Sequence, residues 1–353
     1  MTVHVEDGRY FLQATTRRYD LITAEPPPPK NAGVVNLYST EYFALARSRL
    51  RPGGFLTYWL PVHSLEEDDS RAIVRAFCDA FADCTLWAGS DLDWMLMGSN
   101  GADGPVEEAV LRRQWDDPRV GREMRRLGIE GPEQLGALFM ADAKGLRAFV
   151  GGAEPLVDDR PQRLSPVRAS RPGAAYARLA DAPSARDAFL SSAWIAARWP
   201  PALRDRTLAS FEYQGMRDGL FWGKLLPSRK PSSRDLHRVL TTTRLEALPV
   251  LLLGSNPDLQ RVARLKSSRG GSEEWTESQL AIAALARRDY PAAAKHAGRA
   301  RPEGDPERAW RYAYALALAG RTAEARAFLD RHGSAILPER RVFLSETFAL
   351  PSP

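Results

Sequence analysis

The sequence predicts an α/β domain built on a mostly parallel sheet, followed by an all-α region. Three observations point there. Strand and helix signals alternate over residues 1–98, an extended proline-punctuated stretch at 155–173 closes that section, and two helical segments between 280 and 331 superpose with a shift of about 32. The chain has 353 residues, enough for about two domains, and its 44% apolar and 26% charged content is that of an ordinary globular protein.

The first elements follow from local chemistry. VHVE (3–6) is a short β-branched run ending at Asp7-Gly8, and RYFLQAT (9–15) reads as a short helix. YDLITAE (19–25) reads as a buried strand that must stop at Pro26–Pro29, because proline has no N–H for a sheet ladder. A single acid, Glu25, sits at that exit, and loops at the carboxyl ends of strands are where ligands bind in open α/β sheets. STEYFALARSRL (39–50) has helical spacing, with Ser39 or Thr40 as N-cap and Pro52-Gly53-Gly54 as the stop. FLTYWLPV (55–62) is the next strand. EEDDSRAIVRAFCDAF (66–81) is an amphipathic helix whose first-turn acids suit the macrodipole. TLWAG (85–89) and DWMLMGS (93–99) are two apolar strands expected to pair antiparallel.

Residues 105–150 read as helical throughout, in the segments VEEAVLRRQW, VGREMRRLGI and PEQLGALFMADAKGLRAFV. Residues 174–265 are helical and loop-rich, broken at Pro200-Pro201, Pro227, Pro231 and Pro257, and SSRGGS (267–272) reads as a linker. LAIAALARRDYPAAAKHAGRA (280–300) and RYAYALALAGRTAEARAFLDR (311–331) then repeat small residues where paired helices must approach. These are Ala283, Ala286, Ala293 and Ala297 in one copy and Ala315, Ala319 and Ala325 in the other, with Arg288-Asp289 and Gly320-Arg321 at the turns. This pattern resembles tetratricopeptide repeats. An ordinary alanine-rich hairpin is the alternative, and helices at 232–265 could supply a third, degenerate pair.

Composition excludes several functions. No apolar stretch approaches the roughly 20 residues of a membrane span, and the N-terminus lacks a signal pattern, so a cytoplasmic protein is expected. The net charge of +5 comes from scattered arginines interleaved with acids, which does not read as a nucleic-acid stripe. Cys78 and Cys84 read as reduced, partly buried thiols. The five histidines (His4, His63, His237, His296 and His332) lack ligand spacing, so no metal is expected.

Taken in order, VHVEDGRYFL, RYDLITAEPPPP, AGVVNLYSTEYFALARSRLRPGG, FLTYWLP and Asp158-Asp159-Arg160-Pro161 resemble the C-terminal half of the spermidine synthase (polyamine aminopropyltransferase) catalytic domain. The likeness is nearest to bacterial spermidine-synthase-like proteins fused to a membrane transporter domain, and covers about residues 1–170. It implies a partial doubly wound sheet of the S-adenosylmethionine-dependent methyltransferase type. It also implies aminopropyl transfer from decarboxylated S-adenosylmethionine, or use of S-adenosylmethionine, with a polyamine as substrate. Carried over by position, Asp7 would contact the cofactor's adenine and Gly8 belong to the cofactor site, Glu25 is the first acid of the catalytic loop, and Tyr38, Asp158 and Asp159 would face substrate. The second loop acid, credited with activating the amine, falls at Pro28, which cannot accept a proton.

No glycine-rich turn follows a strand, and the match begins at what would be the fourth strand. Truncation, a partner completing the sheet, and lost catalysis are the explanations, in that order. The expected organisation is therefore residues 1–170 as part of a transferase domain, 171–266 as a helical connector and 273–340 as tetratricopeptide-like hairpins. As this chain the transferase is expected to be incomplete or inactive. The alternatives are a non-catalytic scaffold binding a protein partner through the helices, and a methyltransferase-fold enzyme with another substrate.

Overall fold

The structure, a computed structural model, describes chiefly residues 5–27, 33–89, 93–126, 131–160, 182–211 and 272–350, with isolated positions between them. The chain packs as two compact units, one mainly of residues 1–114 and 131–218, the other mainly of 115–130 and 229–353.

The first unit opens with α1 (Gly8–Ala14), β1 (Tyr19–Ala24), α2 (Thr40–Ser48), β2 (Leu50–Pro61) and α3 (Glu67–Ala80). The hairpin β3 (Thr85–Ala88) and β4 (Asp93–Ser99) follows. Beyond α4 (Glu108–Asp116) and α5 (Pro118–Arg126) come α6 (Pro132–Gly136), β5 (Phe139–Ala141) and α7 (Ala143–Val150). The strand order is β1-β2-β4-β3-β5. Only β1 and β2, joined through α2, run parallel among these strands; β2–β4, β3–β4 and β3–β5 are antiparallel. The expectation of a mostly parallel sheet is thus corrected. A parallel neighbour needs a crossover, and β3 returns directly into β4 without one.

One sheet face is closed by α2, α3 and α7. Leu56, Tyr58, Leu60, Leu86, Trp94 and Leu96 meet Phe43, Ile73, Phe77 and Leu146 there, all essentially buried. On the other face, α8 (Ala182–Ser191), α9 (Ala193–Arg198) and the helical residues 204–211 gather Phe189, Ile195 and Phe211 around Phe139 and Trp87. These helices extend the first unit past residue 170. At the β1–β2–β4 end this second face is open among the described residues, with Leu21 58% and Met95 39% exposed.

Several sequence expectations change. VHVE forms no strand: Val3 and Val5 are exposed coil, Val5 at 97%, with no neighbouring strand among the described residues to bury them. β1 is the edge of the described sheet and only partly buried, not a fully buried strand. Pro52-Gly53-Gly54 does not stop α2, which ends at Ser48; it lies inside β2. There Gly53 takes φ 77°, and a Cβ on Gly54 would stand 2.9 Å from the Tyr19 carbonyl oxygen, so only glycine lets the two strands pair. The long helical reading of 132–150 is broken by β5, because Phe139–Ala141 can pair with Leu86 and Trp87 and Asp142 then caps α7. The cysteines are not free thiols. α3 ends at Ala80 and the chain reverses through Phe81–Cys84, bringing Cys78 and Cys84 to a Cα separation of 5.4 Å as a disulfide.

The second unit takes in α5 and contains α10 (Glu273–Ala286), α11 (Tyr290–Arg299), α12 (Pro306–Leu318), α13 (Thr322–His332) and α14 (Pro338–Phe348). Two hairpins, α10–α11 and α12–α13, fall where the internal similarity places them, and Ala283, Ala293, Ala297, Ala315 and Ala325 are buried. The two turns use equivalent positions: Gly320 at φ 73° in one and Arg288 at φ 57° in the other. Most of 232–265 and of the linker 267–272 lies outside the described residues. No helix among the described residues is long and apolar enough to cross a membrane.

Candidate functional site

The sheet edge that carries Glu25 is organised by three tyrosines. Ser39 caps α2, its Oγ accepting the Tyr42 N–H at 3.3 Å, which fixes Tyr38 just outside the helix and Tyr42 within its first turn. Tyr58, on β2, donates its hydroxyl to the Leu37 carbonyl at 2.5 Å and meets Tyr38 edge-to-face at 5.4 Å. Tyr42 packs on the same Tyr58 ring at 5.9 Å. Burial pushes the pKa of all three phenols up, so they remain neutral donors at ordinary pH. Tyr38, fully buried, directs its hydroxyl at the carbonyls of Pro27 (3.3 Å) and Pro26 (3.5 Å). Pro26 and Pro27 are therefore propped from behind by a packed aromatic cluster. Glu25, immediately before it, is exposed and has no hydrogen-bond or ion-pair partner among the described residues. Pro28 lies outside the described residues.

A second cluster stands at the start of α2. Arg9 forms a two-pronged ion pair with Asp158, one arm at 2.9 Å, and also donates to the Asn36 carbonyl at 2.6 Å. Ser39 Oγ donates to the same Asp158 carboxylate at 2.6 Å, and the Asp158 N–H donates to Glu41 at 3.1 Å. The Arg9 bond and the Ser39 bond hold the Asp158 carboxyl below its ordinary value, against a smaller cost of burial. Asp158 is thus occupied in tying residues 156–160 to α1 and α2, a tie that the Thr40 N–H to Leu156 carbonyl bond extends at 2.9 Å. Asp159, beside it, is exposed.

Asp7 accepts the Tyr10 N–H at 2.8 Å as the N-cap of α1, and lies close enough to Tyr42 to raise its pKa. Gly8 opens on free space, with nothing within 4 Å of where a Cβ would stand. Asp7 is thus engaged as a helix cap, and among the described residues no wall stands beside Gly8 to shape a pocket for an adenine. Nothing among the described residues is arranged to hold the ribose or the aminopropyl end of the implied cofactor. The structure thus groups Asp7, Gly8, Tyr38 and Asp158 around the start of α2 and places Glu25 at the neighbouring strand exit.

Arg9 and Glu41 were not picked out from the sequence. Their partner Asp158 is 149 residues from Arg9, and no local pattern signals such a pairing. Asp69 on α3 was read only as a helix-start acid. Its carboxylate accepts the Glu66 N–H, while Oδ2 is buried without a partner and desolvation lifts its pKa to about 6. Among the described residues no group of three or more His, Cys, Asp or Glu side chains could hold a metal ion.

No family model matches the chain, and no curated protein does. Among solved structures it is similar to a probable spermidine synthase from Corynebacterium glutamicum at 20% identity and a TM-score of 0.30. The match covers 46% of this chain and 56% of that one, a superposition too loose to carry a fold or a function across.

Proposed function

We propose that the first unit is a spermidine-synthase-like domain that keeps a nucleoside- and amine-facing edge but does not transfer aminopropyl groups with its own residues. Aminopropyl transfer requires an amine that has lost its proton and is held in line with a sulfonium-activated carbon, so carboxylates must bind the cation and take the proton. The ordered motifs from Asp7 to Pro161 support the ancestry. The observation that carries the functional half is the engagement of Asp158 by Arg9 and Ser39. Its carboxylate is neutralised by a guanidinium, so it offers an incoming ammonium little. With proline at position 28, Glu25 is the one loop carboxylate left to face an amine. One carboxylate can attract a cation; it does not make the acid pair that the transfer uses.

The reading is tested by calorimetric titration of the folded chain with methylthioadenosine and with spermidine, beside a transfer assay using decarboxylated S-adenosylmethionine and putrescine. The expected result is weak saturable binding of the nucleoside, polyamine binding reduced by Glu25→Gln, and no methylthioadenosine formed. Turnover above a protein-free control would overturn the inactive half. The absence of heat with either ligand at about 1 mM, where a binding free energy near −4 kcal/mol would register, would overturn the binding half.

A further inference from the structure

We propose that His237 is an acid-sensitive joint in the second unit: its neutral ring seats the residues around it on α12 and α14, and protonation loosens that contact and uncovers the aromatic rings beneath. Ser233, Arg234, His237 and Thr241 are helical positions of this chain. Ser233 donates its N–H and its hydroxyl to Glu339 on α14, at 3.1 and 3.0 Å, and Arg234 pairs with Glu346 on the same helix. Three positions further on, His237 meets Tyr314 of α12 and Phe343 and Phe348 of α14, with ring centroids 6.0, 5.7 and 5.7 Å away. Those three rings also meet one another, at 6.1, 5.9 and 6.2 Å, so the imidazole closes an aromatic box. Its Nδ1 lies 3.0 Å from the Tyr314 hydroxyl.

What that contact is worth depends on the form of the ring. Tyr314 is fully buried, and burial pushes the pKa of its phenol up, so the hydroxyl keeps its proton and needs an acceptor. Neutral imidazole supplies one at Nδ1; imidazolium carries N–H groups on both nitrogens and supplies none. Among the described residues the Tyr314 hydroxyl has no other acceptor. A charged ring would also find no carboxylate partner there, since Glu339 and Glu346 are engaged by Ser233 and Arg234. The other charges on the two helices are Glu307, Arg308 and Arg311 on α12 and Arg340 and Arg341 on α14, most of them cations. None of these groups shifts the ring: burial is what holds its pKa below 6.5. The unfolded chain therefore takes up this proton before the folded chain does. The contribution of the contact is fully present above 6.5 and fades as pH falls below it.

The test uses the full chain and two readouts. Proton NMR of the histidine C2 positions is followed from about pH 8 to about pH 5, with His237→Gln identifying the His237 signal by its loss. The expected midpoint lies below 6.5. A midpoint at or above 6.5 overturns the proposal, because the ring faces would then be attracting the imidazolium. Anilinonaphthalene sulfonate, which fluoresces on exposed apolar surface, reports the uncovering. Its emission should rise several-fold in the parent between about pH 7.5 and about pH 5, with the same midpoint as the His237 signal. The rise should be largely absent in His237→Phe, which fills the box and has no proton to gain. An equal rise in the two chains, or no rise in the parent, overturns the proposal. Where His237→Phe fails to fold, the parent decides alone: a dye transition that does not coincide with the His237 midpoint overturns the proposal, and one that coincides supports it.

Discussion

Asp69 makes the stability of the first unit depend on pH in a direction opposite to most surface acids. It is the third residue of α3, where a carboxylate reaching back to the Glu66 N–H ordinarily stabilises the helix start. Here burial wins: desolvation is the largest influence, Glu66 and Asp68 add repulsion, and the pKa rises from 3.8 to about 6. The folded chain therefore holds this proton more tightly than the unfolded chain. Its contribution is fully present below the unfolded value of 3.8 and is lost as pH rises through about 6. A separation of roughly two pH units at about 1.4 kcal/mol each sets a ceiling of ~3 kcal/mol. The side chain is only half buried, and screening by solvent reduces the usable figure to ~1 kcal/mol. Asp69→Asn keeps the acceptor for Glu66 and removes the titration. Urea unfolding of parent and variant at about pH 4.5 and about pH 7.5 should show the variant gaining ~1 kcal/mol relative to the parent as pH rises. A gap that is constant, or that moves the other way, would mean that the helix start outweighs burial and that the reasoning is wrong.

Three further outcomes are expected. Asp158→Asn leaves Arg9 partly buried without its counter-charge and should cost ~2 kcal/mol in urea unfolding, an effect that Arg9→Met in the same chain should largely cancel; additive losses would show that the two groups are not coupled. Because the Asp158 carboxyl is held below its ordinary value, that contribution is present above the unfolded value and should fade as acid takes pH down through the folded one. The disulfide closes a short loop, with Cys78 and Cys84 six positions apart, so reduction should lower unfolding stability by roughly 2 kcal/mol; two thiols alkylated in the native, unreduced protein would refute the pairing. Arg288 occupies the left-handed turn position that Gly320 fills in the other hairpin, so Arg288→Gly should raise stability by up to ~1 kcal/mol, measured by thermal melting, and a lower melting temperature would show that its side-chain contacts outweigh the backbone strain.

How much could be read from the sequence follows from which interactions are local. The helix start at Ser39 is written in a capping residue, and the β3–β4 hairpin in two apolar runs with a short connection. The α10–α13 hairpins were visible because small residues recur at the same spacing on both copies. The errors arise where a distant partner decides. Pro52-Gly53-Gly54 has the composition of a helix stop, yet Gly54 is required by the close approach of Tyr19. Phe139–Ala141 has helical neighbours and becomes a strand because Leu86 and Trp87 offer an edge. VHVE has strand composition and no strand to pair with among the described residues. At the candidate site, Glu25 and Tyr38 could be placed by position, but the Arg9–Asp158 tie could not, since it joins the first helix to a segment 149 residues away.

That tie and the proline loop together define what the site can be. A catalytic edge must let charge change hands, which needs acids whose protons are free to move and a loop that can close on its substrate. Asp158 is pinned by a guanidinium that lowers its affinity for a proton, and the backbone carbonyls of Pro26 and Pro27 face the hydroxyl of a buried tyrosine that is itself held by Tyr58. The proline rings fix φ at Pro26 and Pro27, so these two positions have little conformational freedom to lose and little range in which to move. Glu25, unengaged among the described residues, stands beside that fixed pair, an arrangement suited to holding a cation rather than reacting with it.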